Sequence, residues 1–261
     1  MNLWEDLDKI AAFIKKNPIK VLMLDFDGTI ASIASTPMKA RLSEDMKKLL
    51  IKLNKIQKLY LVIMSGRGLE DLKSKIKIPN IIYAGNHGLE GEVFDKNHSF
   101  PIPNKISLAL ENILKKLHKI VNEFPGILIE DKRGTISFHY RLADKQQIPK
   151  IKSLFERTIK SYIQKSLVIV IPGKMVFDIR PNVNWNKGSF AKLVINQIRK
   201  QINITPAVFF IGDDKTDEDV FRQIKNGITV KVGGTYETNA KYRLRNTKEV
   251  YKFLKWIEKQ L

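Results

Sequence analysis

The chain has 261 residues, 43% of them hydrophobic and 9% aromatic, which is ample for a buried core and too apolar for a disordered chain. It has no cysteine, which excludes disulfides, thiolate metal sites and cysteine catalysis, and no apolar run approaches the length needed to span a bilayer. Lys and Arg number 46 against 27 Asp and Glu, a formal charge of +19, so the surface attracts anions. Either nucleic acid or a small anionic substrate satisfies that charge. The basic residues are spread over every segment, with no Arg-rich tract and no interleaved aromatic pattern, so the excess lysine reads as a solvated coat. No nucleic-acid or membrane partner is expected. The opening MNLWEDLDKIAAFIKKNP carries acidic residues and no cleavage-type segment, which argues against a signal peptide and makes the cytoplasm the expected compartment.

Along the chain, short apolar runs alternate with helical periodicity. The segment ahead of the first run is longer than a minimal core needs and carries no legible role. VLMLDFD (21–27), YLVIMSG (60–66), IIYAG (81–85), VFFIGDD (208–214) and ITVKV (228–232) are apolar on both faces, the pattern of parallel strands covered by helices on each side. Between them lie amphipathic stretches. Ser43 precedes EDMKKLLIKLNKI with acidic residues in the first turn, and 68–77, 188–202, 215–225 and 247–260 have the same helical character. This alternation predicts a doubly wound α/β core.

The middle third differs. Residues 104–123 place Ile106, Leu110, Ile113, Leu114, Leu117 and Val121 on one helical side. Strands are predicted at 126–132 and 135–141 with Gly134 at the turn, a helix at 146–165, then strands at 167–172 and 175–180 with Pro172 and Gly173 between them. Helix, strand, strand, helix, strand, strand predicts an antiparallel sheet covered by two helices, an α+β module inserted into the core. Alternation sets Ile136, Phe138 and Tyr140 against Thr135, Ser137, His139 and Arg141. It sets Met175, Phe177 and Ile179 against Lys174, Asp178, Arg180 and Val176, with Glu130 and Lys132 sharing a face. A polar sheet face of this kind is either plain solvated surface or a lid over a ligand. The stretch 95–105 reads as a candidate hinge from its composition.

The chemistry begins at Asp25-Phe26-Asp27-Gly28-Thr29, where the first strand ends. Open α/β sheets bind ligands at that edge, and two carboxylates so close together repel unless a cation is present. Gly212-Asp213-Asp214-Lys215-Thr216-Asp217-Glu218-Asp219 follows another strand. Hard oxygen ligands at two strand ends suit Mg2+, although Glu218 and Asp219 also fit an ordinary helix start. Ser65-Gly66-Arg67 offers a hydroxyl and backbone N–H groups to a phosphate, or is a plain turn. Trp185-Asn186-Lys187-Gly188 puts a lysine at a helix start. His87 lies at a strand end in a GNH sequence that is also good turn chemistry.

DFDGT, SGR, a lysine before a helix and GDDKTD, in that order, resemble the haloacid dehalogenase superfamily. The resemblance implies a mostly parallel Rossmann-like core, residues 1–102 and 182–261, with an inserted α+β cap at 103–181. It implies that Asp25 attacks phosphorus to form an aspartyl-phosphate, and that Asp27 protonates the leaving oxygen and then activates water. Ser65 and Lys187 would hold the transferring group. Asp25, the main-chain carbonyl of Asp27 and Asp213 would bind Mg2+, with Asp214 and Asp217 supporting them. Further segments, YAGNHGLE (83–90), IEDKRGTISFHYR (129–141), GKMVFDIRP (173–181) and WNKG (185–188), are similar to trehalose-6-phosphate phosphatases. That narrower likeness implies that Glu130, Lys132, His139, Arg141, Lys174, Asp178 and Arg180 include the residues that meet the sugar, with Thr29, Arg67 and His87 lining the pocket from the core. Asp178 stands where that family more often has glutamate, which shortens its reach. A phosphatase for sucrose phosphate or mannosyl phosphoglycerate, or a hexose-phosphate phosphotransferase, would use the same core chemistry.

Overall fold

The computed structural model describes residues 1–34, 37–234 and 237–261. The chain divides into two compact units, Met1–Ser99 with Trp185–Leu261, and Phe100–Asn184.

In chain order the elements are α1 (Leu7–Lys16), β1 (Lys20–Asp25), α2 (Glu44–Asn54), β2 (Leu59–Met64), α3 (Leu69–Ile76), β3 (Ile82–Gly85), β4 (Glu90–Val93) and β5 (Lys96–Ser99). The second unit contributes α4 (Asn104–Glu123), β6 (Leu128–Asp131), β7 (Ile136–His139), α5 (Ile148–Gln164), β8 (Val168–Gly173) and β9 (Val176–Pro181). The first unit resumes with α6 (Lys187–Ile202), β10 (Ala207–Gly212), α7 (Glu218–Gln223), β11 (Ile228–Val232), β12 (Tyr242–Leu244) and α8 (Thr247–Gln260).

The first unit is built on a sheet of order β12-β11-β10-β1-β2-β3-β4-β5, parallel from β12 to β3 and antiparallel beyond. Alternation along the central strands feeds two cores. Leu22, Leu24, Leu61, Ile63, Phe209 and Ile211 pack with residues of α1, α2, α3 and α8, while Val21, Met23, Val62, Met64 and Phe210 pack with α6 and α7. The doubly wound core expected from the sequence is present, and β1 lies at its centre, so the carboxyl edge of the sheet receives Asp25. The N-terminal segment, whose role was illegible, supplies Ile10 and Ile14 to the first of these cores, and the backbone N–H of Arg243 donates to Met1 O at 2.9 Å beside β12.

Part of the stretch 95–105 is regular structure. Residues 96–99 form β5, an edge strand reached through a two-residue turn at Phe94 and Asp95, with φ of 51° and 60°. Paired left-handed residues are what a tight hairpin needs, but Phe in that place gives no turn signal in a sequence.

In the second unit the sheet order is β6-β7-β9-β8, antiparallel throughout. Ile106, Leu110, Ile113 and Leu117 of α4 and Ile151, Phe155 and Ile159 of α5 bury against Ile136, Phe138 and Ile179. Phe155 stacks on Phe177 with ring centroids 4.4 Å apart. The β8–β9 turn departs from the sequence reading. Gly173 pairs with Val176, so the turn falls on Lys174 and Met175, and Met175 has a φ of 64°. Pro172 and Gly173 remain in β8. Lys174 therefore leaves the strand alternation that grouped it with Asp178 and Arg180.

Candidate active site

Asp25 ends β1 and is 6% exposed. The chain then folds back at once: the Gly28 N–H donates to Ala31 O at 2.7 Å and the Ala31 N–H to Phe26 O at 2.9 Å. Gly28 takes a φ of 82°, and a Cβ there would lie 2.0 Å from Oδ2 of Asp213, so only glycine lets this loop approach the acidic segment after β10. Thr29 is fully buried, with its hydroxyl lacking a hydrogen-bond partner.

Lys187 begins α6, where Asn186 accepts from the Ser189 N–H at 3.0 Å as the helix cap. That start buries the ammonium, 1% exposed, against two carboxylates: Nζ donates to Asp25 Oδ1 at 2.6 Å and to Asp217 Oδ1 at 2.5 Å. Asp217 is fully buried, and its Oδ2 accepts from the Asp214 N–H at 2.9 Å. Burial disfavours the Lys187 charge, but the Asp217 and Asp25 carboxylates outweigh this and hold it above the ordinary lysine range. Burial pushes the Asp25 carboxyl well above the usual carboxylate range; Lys187 opposes the shift, while Asp217 and Asp213 add to it.

Asp25, Asp213 and Asp217 each bring a carboxylate oxygen within 4.8 Å of the others. The second oxygen of Asp25 is buried without a hydrogen-bond partner. Three hard-oxygen donors, one lysine among them and an orphaned carboxylate oxygen fit a hard divalent cation. Two expected metal residues have their carboxylates outside this trio. Asp214 is exposed, and its Oδ1 accepts from the Lys215 N–H at 2.5 Å. Asp27 is engaged by Arg67, whose Nε and Nη2 donate to Oδ2 and Oδ1, both at 2.7 Å.

Ser65, after β2, is 1% exposed, and its Oγ accepts from the Arg67 N–H at 3.1 Å. The His87 N–H donates to Ser65 O at 2.9 Å. His87 and Asn86 both adopt left-handed backbone, φ 56° and 50°, which brings the imidazole over Gly66, where a Cβ would sit 2.3 Å from the ring. Glu90 fixes this corner by accepting from the Asn86 side chain and the Leu69 N–H, each at 2.9 Å.

In the second unit the sheet face away from α4 and α5 carries a polar network. His139 Nε2 lies 3.0 Å from Glu130 Oε2, and Lys132 Nζ is 3.7 Å from the same oxygen. Lys132 also donates to Ser137 Oγ at 2.7 Å, and Ser137 donates to Asp178 Oδ1 at 2.5 Å. Arg180 lies 3.7 Å from Asp178. Glu130, Lys132, His139, Asp178 and Arg180 are thus brought together. Arg141 is exposed beyond β7 and donates to the carbonyl of Lys174 in the β8–β9 turn at 2.9 Å.

The profile of the trehalose-phosphatase family matches residues 23–248, a span that takes in every residue of both clusters. The chain belongs to the trehalose-phosphatase family. It is 27% identical over 247 residues to trehalose-phosphate phosphatase B of Arabidopsis thaliana, covering 90% of this chain and 65% of the relative. It is 29% identical over 253 residues to trehalose-phosphate phosphatase of Mycobacterium marinum, covering 94% of this chain and 63% of the relative. The chain thus spans a little under two thirds of the length of these two relatives. A solved structure described as a trehalose-6-phosphate phosphatase related protein superposes with a TM-score of 0.76 at 25% identity, over 92% of this chain and 97% of that one. No helix among the described residues is long and apolar enough to cross a membrane.

Within this trehalose-phosphatase family chain, Lys231 is a site residue that sequence reasoning passed over. It is fully buried in β11, and its Nζ donates to the carbonyl of Asp213, with the carbonyl of Asp214 3.4 Å away. The signal was available, because a lone lysine in ITVKV is out of place in a strand buried on both faces. Ser137, 1% exposed, was read only as part of a polar face.

Burial first, then Asp217 and Asp214, push the Asp213 carboxyl up to about 7. An unfolded aspartate titrates near 3.9. Between those values the folded state binds a proton that the unfolded state releases. Stability of the metal-free protein therefore falls as pH rises through that window and stays low above it. Asp213→Asn removes this slope. In urea unfolding with a chelator present, the variant should gain about 2 kcal/mol on wild type between pH 5 and pH 8. A stability difference that stays constant over this range would show that Asp213 is ionised at both ends.

Proposed function

We propose that this chain is a phosphoric monoester hydrolase that cleaves trehalose 6-phosphate to trehalose and phosphate, with Asp25 as nucleophile and Mg2+ as cofactor. The observation that carries the reading is Asp25 itself. It is buried at the sheet edge with one oxygen on Lys187 and the other without a hydrogen bond, beside Asp213 and Asp217. Family membership and the names of the relatives support the substrate.

In this reading Asp25, Asp213 and the Asp27 main-chain carbonyl would hold a divalent cation, with Asp214 and Asp217 supporting them, and the cation would supply the positive charge that lets one anion approach another. Lys187 adds a fixed positive charge and restrains the Asp25 rotamer through Oδ1, which leaves Oδ2 to attack phosphorus. Asp27 gives its proton to the sugar oxygen as that P–O bond breaks, then takes a proton from the water that releases phosphate from Asp25. Ser65, Thr29 and His87 line the phosphate end. Residues 103–181 act as the substrate-specificity cap, whose Glu130, Lys132, His139, Asp178 and Arg180 offer the donors and acceptors that sugar hydroxyls need. Arg141 and Lys174 flank that face. A cysteine-free chain is compatible with a cytoplasmic setting.

The test is phosphate release over trehalose 6-phosphate, sucrose 6-phosphate, glucose 6-phosphate and an aryl phosphate, with and without Mg2+. A higher kcat/KM for any of the others than for trehalose 6-phosphate would overturn the substrate, and full activity under chelation would overturn the cofactor. Glu130→Ala and Lys132→Ala should each lower kcat/KM for trehalose 6-phosphate about 10- to 100-fold, the worth of one charged hydrogen bond, and change aryl phosphate hydrolysis little. Equal losses on both substrates would mean that this face serves folding or closure. Lys174 is the weaker probe, because it lies in the turn and not on the sheet face.

A further inference from the structure

Arg67 was expected to line the substrate pocket, but its guanidinium is already committed. Nε and Nη2, the edge suited to a phosphate or carboxylate, donate to both oxygens of Asp27 at 2.7 Å. Nη1 donates to Asp71 Oδ2 at 2.9 Å. The guanidinium carbon lies 5.5 Å from the centroid of the Phe26 ring, and the residue is 8% exposed. Its backbone is pinned as well, by the Ser65 hydroxyl at the N–H and by the Asn86 N–H at the carbonyl. A side chain fixed at both ends is poorly placed to reach for a ligand and well placed to fix its partner.

We infer that Arg67 is a positioning residue for Asp27, holding that carboxylate in one orientation through both half-reactions. The inference rests on the reading of Asp27 as the acid and base. A carboxylate has about four lone-pair sites, and Arg67 occupies two. The Asp27 side chain is 39% exposed, so the sites that Arg67 leaves can exchange a proton with the leaving sugar oxygen and then with water. In the first half-reaction the Asp25–P bond forms, the P–O bond to sugar breaks and the Asp27 proton goes to the sugar oxygen. In the second, water attacks phosphorus, its proton returns to Asp27, and Asp25 leaves as carboxylate. Arg67 gains and loses no proton in either step. Its contribution is geometric, and a misplacement of about 1 Å costs on the order of 100-fold in rate.

The experiment is a double-mutant cycle on kcat and KM with trehalose 6-phosphate and Mg2+. Arg67→Met should lower kcat about 10- to 100-fold with KM within about threefold of wild type, and should add no further loss in an Asp27→Asn background. Arg67→Lys, which keeps charge but loses the fork, should recover little. Asp71→Asn guards against misfolding, because it removes only the third, half-exposed contact. It should lower kcat about threefold in wild type and not at all in Asp27→Asn. A raised KM with unchanged kcat in Arg67→Met would make Arg67 a substrate ligand and overturn the inference. So would losses that multiply with those of Asp27→Asn. Full activity in Asp27→Asn alone would instead overturn the acid–base reading beneath it.

Discussion

Asp25→Asn should abolish phosphate release, with kcat down by about 10^4-fold or more. The substitution keeps the side-chain shape, so the loss isolates the nucleophilic charge. The same variant should be more stable than wild type without metal at pH 7. Burial works against the charge on Asp25, and together with repulsion from Asp217 and Asp213 it outweighs the attraction of Lys187, which keeps Asp217 as its partner in the variant. The opposite signs matter, because a variant that lost activity by unfolding would lose both. Thermal unfolding under chelation and phosphate release in Mg2+ measure the two effects on one preparation. Residual activity within tenfold of wild type would rule out a covalent aspartyl step at this position.

Lys187→Met should have the largest effect on stability. The ammonium is buried against Asp25 and Asp217 and is the cation that both carboxylates contact. Removing one partner of a buried ion pair strands the other, at a cost of about 3–5 kcal/mol. For a chain of this size that is a fall in Tm of roughly 6–20 °C in chelator. Saturating Mg2+ should restore part of the loss if the proposed cation is held by the same acidic cluster, and Asp217→Asn in the same chain should restore part without metal. Turnover should remain impaired in every case. A Tm within about 2 °C of wild type would show that the lysine's charge is not coupled to the acidic trio.

The central strands were legible because they are buried on both faces, and most helices because a one-sided apolar pattern runs for several turns. β1, β2, β3, β10 and β11 fall on the apolar runs that mark them in the sequence. β4, β5 and β12 were not legible, being short and built from residues such as Gly91, Asn97 and Arg243 that carry no strand pattern. In the site, the carboxylates at strand ends, Ser65 and Lys187 could be found from residue type and place. What stayed hidden depends on rotamer or register. Whether Arg67 turns to Asp27 or to a ligand is a side-chain choice, and Lys174 changes its surroundings when the β8–β9 turn moves by two residues. Lys231 is a different case, since its composition signal was present and only the partner was unknowable.

The placement of β1 has a consequence for how this protein comes to be folded. Leu22 pairs with Leu61 on one side and with Phe209 on the other, and the second partner arrives only after the whole of unit two has been synthesised. Pairings so distant in sequence slow folding, because the loop must close before the contact contributes. During translation the strand that bears Asp25 therefore exposes an open apolar edge while residues 100–184 can already collapse on their own helices. Chains cut short before β10 should accordingly be captured by chaperones or aggregate, whereas the isolated segment 100–184 should not.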